Sequence, residues 1–345
     1  MKAGKYVPLL LAAVVIFTGC GSRQKENYKE AELNLEKGHY EEALEGFQQA
    51  VSDDVNIMES WRGEGIALLK LNRYEEAIEA FETALAQDEG GKGIRRDIWL
   101  YKATAECKNG DPQTALESVQ AATELEGDEQ CYLLMGKLYL ELAKYDDAEA
   151  SFAQVLEKNK SYESYVDIYQ MYVQKDMSAD GEAYLKEALK LEGKEKEDYY
   201  QRGRIYFFMG DTDSAKKELI EAVNRKYSDA VLFLGKIYLA DKDTGNARAM
   251  YRQYMEMQEE NQARGYNGLA LCDISEGNYS SALENIQKGL EIAQKGDVQE
   301  LLYNEAVVYE KMQDFNTAKI KMASYMELYP DDVEAGKENQ FLQYR

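Results

Sequence analysis

An all-α solenoid is the fold class this sequence predicts, and three observations predict it. A short pattern of apolar and small residues recurs nine times, the apolar spacing inside each copy is three or four, and no segment alternates at period two for long enough to make a strand. The small residues at the middle of the copies are Ala43, Ala77, Ala115, Ala148, Gly181, Ala215, Ala247, Ala282 and Ala318, so successive copies lie 34, 38, 33, 33, 34, 32, 35 and 36 residues apart. A period of this size marks stacked helix-turn-helix units. No such unit buries its apolar face alone, so the stack is stabilised neighbour by neighbour.

The elements follow in chain order. Lys2 and Lys5 are the only charges before Arg23, and Val7 to Phe17 carries no polar side chain. A basic start, a short apolar run and the small residues Thr18 and Gly19 predict a secretory signal peptide over residues 1–19. The run is shorter than the roughly 20 residues that cross a bilayer. Residues 20–23 form a short tether. Nine repeats follow at about 24–57, 58–91, 96–128, 129–161, 162–195, 196–227, 228–261, 263–296 and 299–332, and residues 333–345 make a terminal helix that covers the last repeat. Gly38, Asn72, Gly110, Gly210 and Gly277 mark turns, because Gly and Asn close a helix with positive φ. The glycine-rich segment from Glu89 to Ile94 adds residues between the second and third copies and reads as a hinge or loop.

The clearest copy is Trp61, Gly65, Leu68, Tyr74, Ala77, Phe81, Ala84, and it resembles the tetratricopeptide repeat. The resemblance covers about residues 24 to 332. It implies a right-handed superhelix of about nine repeats that binds other proteins and does no chemistry. Departures are visible: the family's closing proline appears only as Pro330, Asn27 replaces the first aromatic, Tyr169 fills a small slot, and repeats seven and nine end on Tyr254 and Tyr325. Separately, Phe17-Thr18-Gly19-Cys20 resembles the lipobox of bacterial lipoproteins, with Phe17 where Leu is usual. That resemblance implies cleavage before Cys20, a diacylglycerol on its sulfur, and a mature protein anchored on the extracytoplasmic side of a bacterial cell membrane, two lipid chains or more making a stable anchor.

Composition narrows the function. The net charge is −23, and loss of Lys2 and Lys5 with the signal makes it more negative, which disfavours nucleic acid. His39, in the first turn, is the only histidine, so neither a zinc site of the common N/S type nor a Ser-His-Asp arrangement is available. Cys107, Cys131 and Cys272 make an odd set; the first two, on parallel helices, are out of phase by roughly 13 Å at 1.5 Å per residue, too far to bridge, and all three read as small buried apolar residues. Asp211-Thr212-Asp213 reads as a helix N-cap and not as a calcium loop. The carboxylates fall mainly on outward helix faces. No cofactor, metal or catalytic residue is expected.

The groove is the candidate site. In the family it resembles, positions five, six and nine of each first helix face the concave surface. Here those positions hold the basic residues Lys29, Arg62, Lys137, Arg204 and Lys236 against only Glu32 and Asp167, in a chain with 64 acidic and 41 basic side chains. Tyr101, Tyr200, Phe233 and Tyr303 add aromatic anchors, and Asn267 and Asn304 add amides. The expected ligand is a peptide or protein segment that carries acidic groups. No repeat offers Lys at position five with Asn at position nine, so the two-carboxylate clamp of the chaperone-binding members is not expected. Two alternatives stay open: an assembly factor of an envelope, secretion or pilus complex, and a glycan-binding accessory protein.

Overall fold

The structure, a computed structural model, describes residues 20–257, 262–294, 296–330 and 332–345. The expected signal segment 1–19 and the side chain of Cys20 lie outside the described residues. Nineteen helices and no strand are present among the described residues: α1 (Cys20–Lys37), α2 (Tyr40–Ser52), α3 (Ile57–Lys70), α4 (Tyr74–Leu85), α5 (Lys92–Lys108), α6 (Pro112–Leu125), α7 (Glu129–Glu141), α8 (Tyr145–Lys158), α9 (Tyr162–Val173), α10 (Ser178–Ala188), α11 (Lys196–Phe208), α12 (Thr212–Asn224), α13 (Ser228–Ala240), α14 (Thr244–Met257), α15 (Ala263–Glu276), α16 (Tyr279–Ile292), α17 (Val298–Lys311), α18 (Phe315–Leu328) and α19 (Val333–Gln343). Each of the nine copies is one helix pair, and α19 follows the last. α1 takes in residues 20–23, the span read from the sequence as a tether. The described residues up to Leu138 form one compact unit and those from Tyr139 another, the division falling inside α7.

One backbone device closes the first helix of every copy. A single residue takes positive φ in each intra-repeat turn: Gly38, Asn72, Gly110, Ala143, Asp176, Gly210, Lys242, Gly277 and Gln313. The next residue's N–H then donates back to a carbonyl five positions earlier, as Arg73 does to Leu68 at 2.9 Å and Lys144 to Tyr139 at 2.9 Å. This satisfies carbonyls that the helix end leaves open. Asparagine and glycine were readable at five of these turns. At the other four the geometry is imposed by the repeat, against the ~1–2 kcal/mol by which a Cβ disfavours the left-handed region. The second helices begin with side-chain caps in several copies: Asp111 accepts from the Thr114 N–H at 3.0 Å and Asp211 from the Ser214 N–H at 3.0 Å.

In the first unit, large side chains of the second helices pack against small residues of the first helices. Phe47 and Phe81 are fully buried with Met58 and Ile98, and each such side chain contributes about 1.5–3 kcal/mol of burial. In the Glu89–Ile94 segment Gly90 is closely packed, while Gly91 and Gly93 stand in open space. Gly90 sits at φ +89°, where an added Cβ would come within 2.3 Å of the Met58 sulfur. Beside it, the Arg95 guanidinium donates to the Gln87 and Leu85 carbonyls at 2.9 and 2.7 Å, closing the end of α4. The unit also buries an ion pair. Lys102 and Glu106 are 7% and 3% exposed, their charged groups 2.5 Å apart, with Glu82 at 3.3 Å and the Trp99 ring 5.4 Å from the ammonium.

In the second unit the departures from the repeat pattern find compensations. Tyr169 occupies a slot that is small elsewhere, and Gly181 faces it across the pair, where a Cβ would lie 3.1 Å from the Tyr169 ring. Tyr251 is 1% exposed, and its ring is seated on Gly235 and Gly268, where added Cβ atoms would fall 2.9 and 2.2 Å away. Among the cysteines, Cys131 and Cys272 are buried, Cys107 is only half-buried because it lies near the end of α5, and no disulfide links the three.

Candidate partner-binding site

The expected groove residues fall into three separate groups. In the first unit Arg62 of α3 lies 5.5 Å from the centroid of the Tyr101 ring, and that ring stacks on Phe81 at 6.0 Å. Lys137 of α7 is half-buried, and no described contact joins it to Arg62 or Tyr101. In the second unit Tyr200, Arg204 and Phe233 come together: the Arg204 guanidinium lies 5.7 Å from the Tyr200 ring, and Phe233 meets Tyr200 edge-on at 6.2 Å. Phe207, not singled out from sequence, completes this cluster 5.3 Å from Phe233.

The third group forms a cleft. Lys236 of α13, Asn267 of α15, and Tyr303 and Asn304 of α17 line a cavity of about 520 Å³, within the usual range for ligand sites of about 300–1,000 Å³. The successive first helices place these side chains in register because the period repeats. The Asn304 amide donates to the Asn267 carbonyl oxygen at 2.7 Å, and the Asn267 amide donates to Glu300 at 2.8 Å. Asn267 is 4% exposed, so this relay fixes a carboxylate at the cleft surface from beneath.

Glu300, Asp332 and Glu334 line the same cleft together with Leu271, Gln299 and Tyr325. Tyr325 accepts from the Gln299 amide at 3.0 Å and donates to Asp332 at 2.5 Å, while Asp332 also accepts from the Ala335 N–H at 3.0 Å and so caps α19. That backbone bond, then the tyrosine hydroxyl, hold the Asp332 carboxyl below its ordinary range. Tyr325, desolvated and donating to a carboxylate, is pushed up to about 12. The Tyr303 hydroxyl is raised by burial and then by the carboxylates of Glu338, Asp332, Glu310 and Glu334.

Carboxylates share this cleft with the basic side chain expected there. Lys236 faces Glu300 at 3.6 Å, and in the first unit Arg62 is bound by Asp97 through its Nε at 2.5 Å. Each acid lies two residues before the anchor of its first helix, one turn ahead of the positions counted as groove-facing. Arg264 pairs with Asp229, another such residue, at 3.0 Å. The signal was present as opposite charges one period apart for Arg62–Asp97 and Asp229–Arg264, and about two periods apart for Lys236–Glu300. Tyr325 was noted only as a departure, and Asp332 and Glu334 belong to the terminal helix, which the repeat pattern does not cover.

Among the described residues no cluster of three or more His, Cys, Asp and Glu is arranged to hold a metal ion, and no helix is long and apolar enough to cross a membrane.

Tetratricopeptide-repeat family profiles match residues 28–92, 62–130 and 200–261, then 129–161 and 300–332. No curated protein matches the chain. Among solved structures it is similar to a tetratricopeptide repeat protein from Parabacteroides merdae, at 18% identity over 73% of this chain and 99% of that one, TM-score 0.41. It is similar to YrrB, described as a tetratricopeptide-repeat protein with an unusual peptide-binding site, at 19% identity over 60% of this chain and 92% of that one, TM-score 0.36. It is also similar to a chain of the APC/C hetero-tetramer Cut9–Hcn1, at 11% identity over 93% of this chain and 83% of that one, TM-score 0.42.

Proposed function

We propose, since the chain belongs to the tetratricopeptide-repeat family, that it is a non-catalytic interaction scaffold whose α13–α15–α17 cleft holds a segment of another polypeptide. One observation carries this reading: the relay Asn304–Asn267–Glu300 presents fixed polar groups in a cavity of about 520 Å³ walled by Tyr303 and Tyr325. Fixed groups lower the ordering cost of binding, and aromatic side chains supply contact area with few rotatable bonds. A photo-crosslinker placed at Tyr303 should capture a protein partner in the native host, and Asn267→Ala should abolish the capture. Unchanged capture by that variant refutes the cleft as the site.

The same proposal puts the scaffold at a membrane. Support comes from the lipobox-like Phe17-Thr18-Gly19-Cys20 behind a short apolar run. The protein would then be an extracytoplasmic lipoprotein of a bacterial cell membrane, with its repeats close to the bilayer. Cys20→Ala should move the protein from the detergent phase to the aqueous phase in a partition assay; a variant that stays in the detergent phase removes Cys20 as the anchor.

A further inference from the structure

The cleft in α13–α19 carries two features that its aromatic and amide walls do not explain. The first is its charge. Glu300, Asp332 and Glu334 face one basic side chain, Lys236, whose contact with Glu300 at 3.6 Å is longer than a hydrogen bond and solvent-exposed on both sides. Such an exposed pair is weak and open to exchange. The carboxylate itself stays in place without Lys236, because Asn267 holds its other oxygen at 2.8 Å.

The second feature is a buried hydroxyl. Tyr251 of α14 is 1% exposed, and its Oη has no hydrogen-bond partner among the described residues. Tyr251 lines a chamber of about 20 Å³ with Arg264, whose guanidinium is paired with Asp229 at 3.0 Å, and the chamber shares Lys236, Asn267, Leu271 and Glu300 with the cleft. A buried polar atom left unpaired is a rare and unfavourable arrangement. The corresponding second-helix side chain in the neighbouring copies is Leu219 or Ile286, which has no polar atom to satisfy.

We propose that the cleft receives a lysine or arginine side chain of the bound polypeptide, whose cationic head displaces Lys236 from Glu300 and donates to the Tyr251 hydroxyl, with Asp332 and Glu334 along its path. This deepens the interaction reading above and rests on it. Carboxylate with a neutral oxygen acceptor suits a multi-donor cation, which Lys and Arg both are. The Tyr303 ring adds a face for the cation. An acidic segment would meet three carboxylates and would leave the Tyr251 oxygen as it is.

The test pans a randomised peptide library against the full chain, with affinities of selected peptides measured by fluorescence anisotropy. Selected pools should be enriched in Lys or Arg at one position. N-acetylation of that lysine, or Glu300→Gln in the protein, should weaken binding about tenfold or more, roughly 1.4 kcal/mol. Glu300→Gln keeps an oxygen for Asn267, so the fold survives it. Tyr251→Phe should also weaken the Lys peptides while the fold becomes no less stable, which a merely structural role for the hydroxyl does not predict. Pools enriched in Asp or Glu, or pools indifferent to Glu300→Gln, overturn the cation inference; if Tyr303→Ala still abolishes their binding, the cleft reading stands. Binding of purified cell-wall polymer with no peptide selected, or peptides indifferent to Tyr303→Ala, overturns both.

Discussion

Replacing Tyr251 by Phe should make the protein more stable, although the residue is 1% exposed and packed on two glycines. The ring keeps its seat against Gly235 and Gly268, so no cavity term of the large-to-small kind arises. What leaves is a hydroxyl that is buried with no partner. An unsatisfied buried donor or acceptor disfavours the fold by about 1–3 kcal/mol. The lower end applies here, because the chamber of about 20 Å³ beside the residue has room for about one water. The expected gain is therefore about 1 kcal/mol, or about 2–4 °C for a cooperative unit of roughly 150–250 residues. Urea denaturation of the full chain, followed by far-ultraviolet circular dichroism, should show a raised midpoint with an unchanged slope. The matched control is Tyr325→Phe. Its hydroxyl is engaged by both Gln299 and Asp332, so the same change there should lose about 1 kcal/mol or more. If Tyr251→Phe is destabilising like Tyr325→Phe, the hydroxyl has a native partner and the argument from an unsatisfied group fails.

Other consequences are as direct. Ala143 and Gln313 hold positive φ without being glycine, so Ala143→Gly should stabilise the second unit by about 0.5–1 kcal/mol in urea denaturation, the reverse of its usual effect inside a helix. Lys102→Ala should cost about 3–5 kcal/mol by the same measurement, because it leaves the Glu106 carboxylate charged and 3% exposed without its cation. Asp332 titrates below its ordinary value of 3.8 in the fold, so its contribution is fully present above that pH and is lost as pH falls through its folded value. Asp332→Asn should accordingly show a shallower loss of stability than the wild type between about pH 5 and about pH 2.

The repeat count and the helix pairs were legible because they depend on positions that every copy must fill. Ala43, Ala77, Ala148 and their equivalents are fully buried, and any larger residue there would hold the helices apart. The turns were legible only where Gly or Asn announces positive φ; Lys242 and Gln313 adopt it because the surrounding pair leaves no other closure. The packing of the Glu89–Ile94 segment was not legible, for a physical reason. Glycines in sequence signal freedom, whereas Gly90 is used for a close approach to Met58 and Arg95 ties the segment to α4. The site was half legible. Lys236, Asn267, Tyr303 and Asn304 follow from periodicity and converge on one cleft. Their charge environment did not follow, because Glu300 lies a turn earlier on its helix and Asp332 and Glu334 come from an element with no counterpart in the other copies.

That last point decides how binding and stability are coupled here. A solenoid of equivalent repeats presents equivalent surfaces, so a distinct site needs residues that break the equivalence. In the second unit these include Tyr251, in a slot that is apolar in the other copies, Tyr325, in a slot that is small in most of them, and the terminal helix α19. Asp332 serves three ends at once: it caps α19, holds the Tyr325 hydroxyl and lines the cleft. A change at Asp332 therefore loosens the end of the stack and alters the site together, and its effect on binding has no single meaning. Glu334 lines the same cleft, but its only described partner is Lys337 on the same exposed face, at 2.6 Å. Glu334→Gln should then leave the urea midpoint within about 0.5 kcal/mol of the wild type. It should still weaken a cationic peptide, and more so at low salt, where surface charges are least screened. Equal losses of stability and binding in that variant would mean that α19 serves only to close the stack and that the carboxylates at its start play no part in recognition.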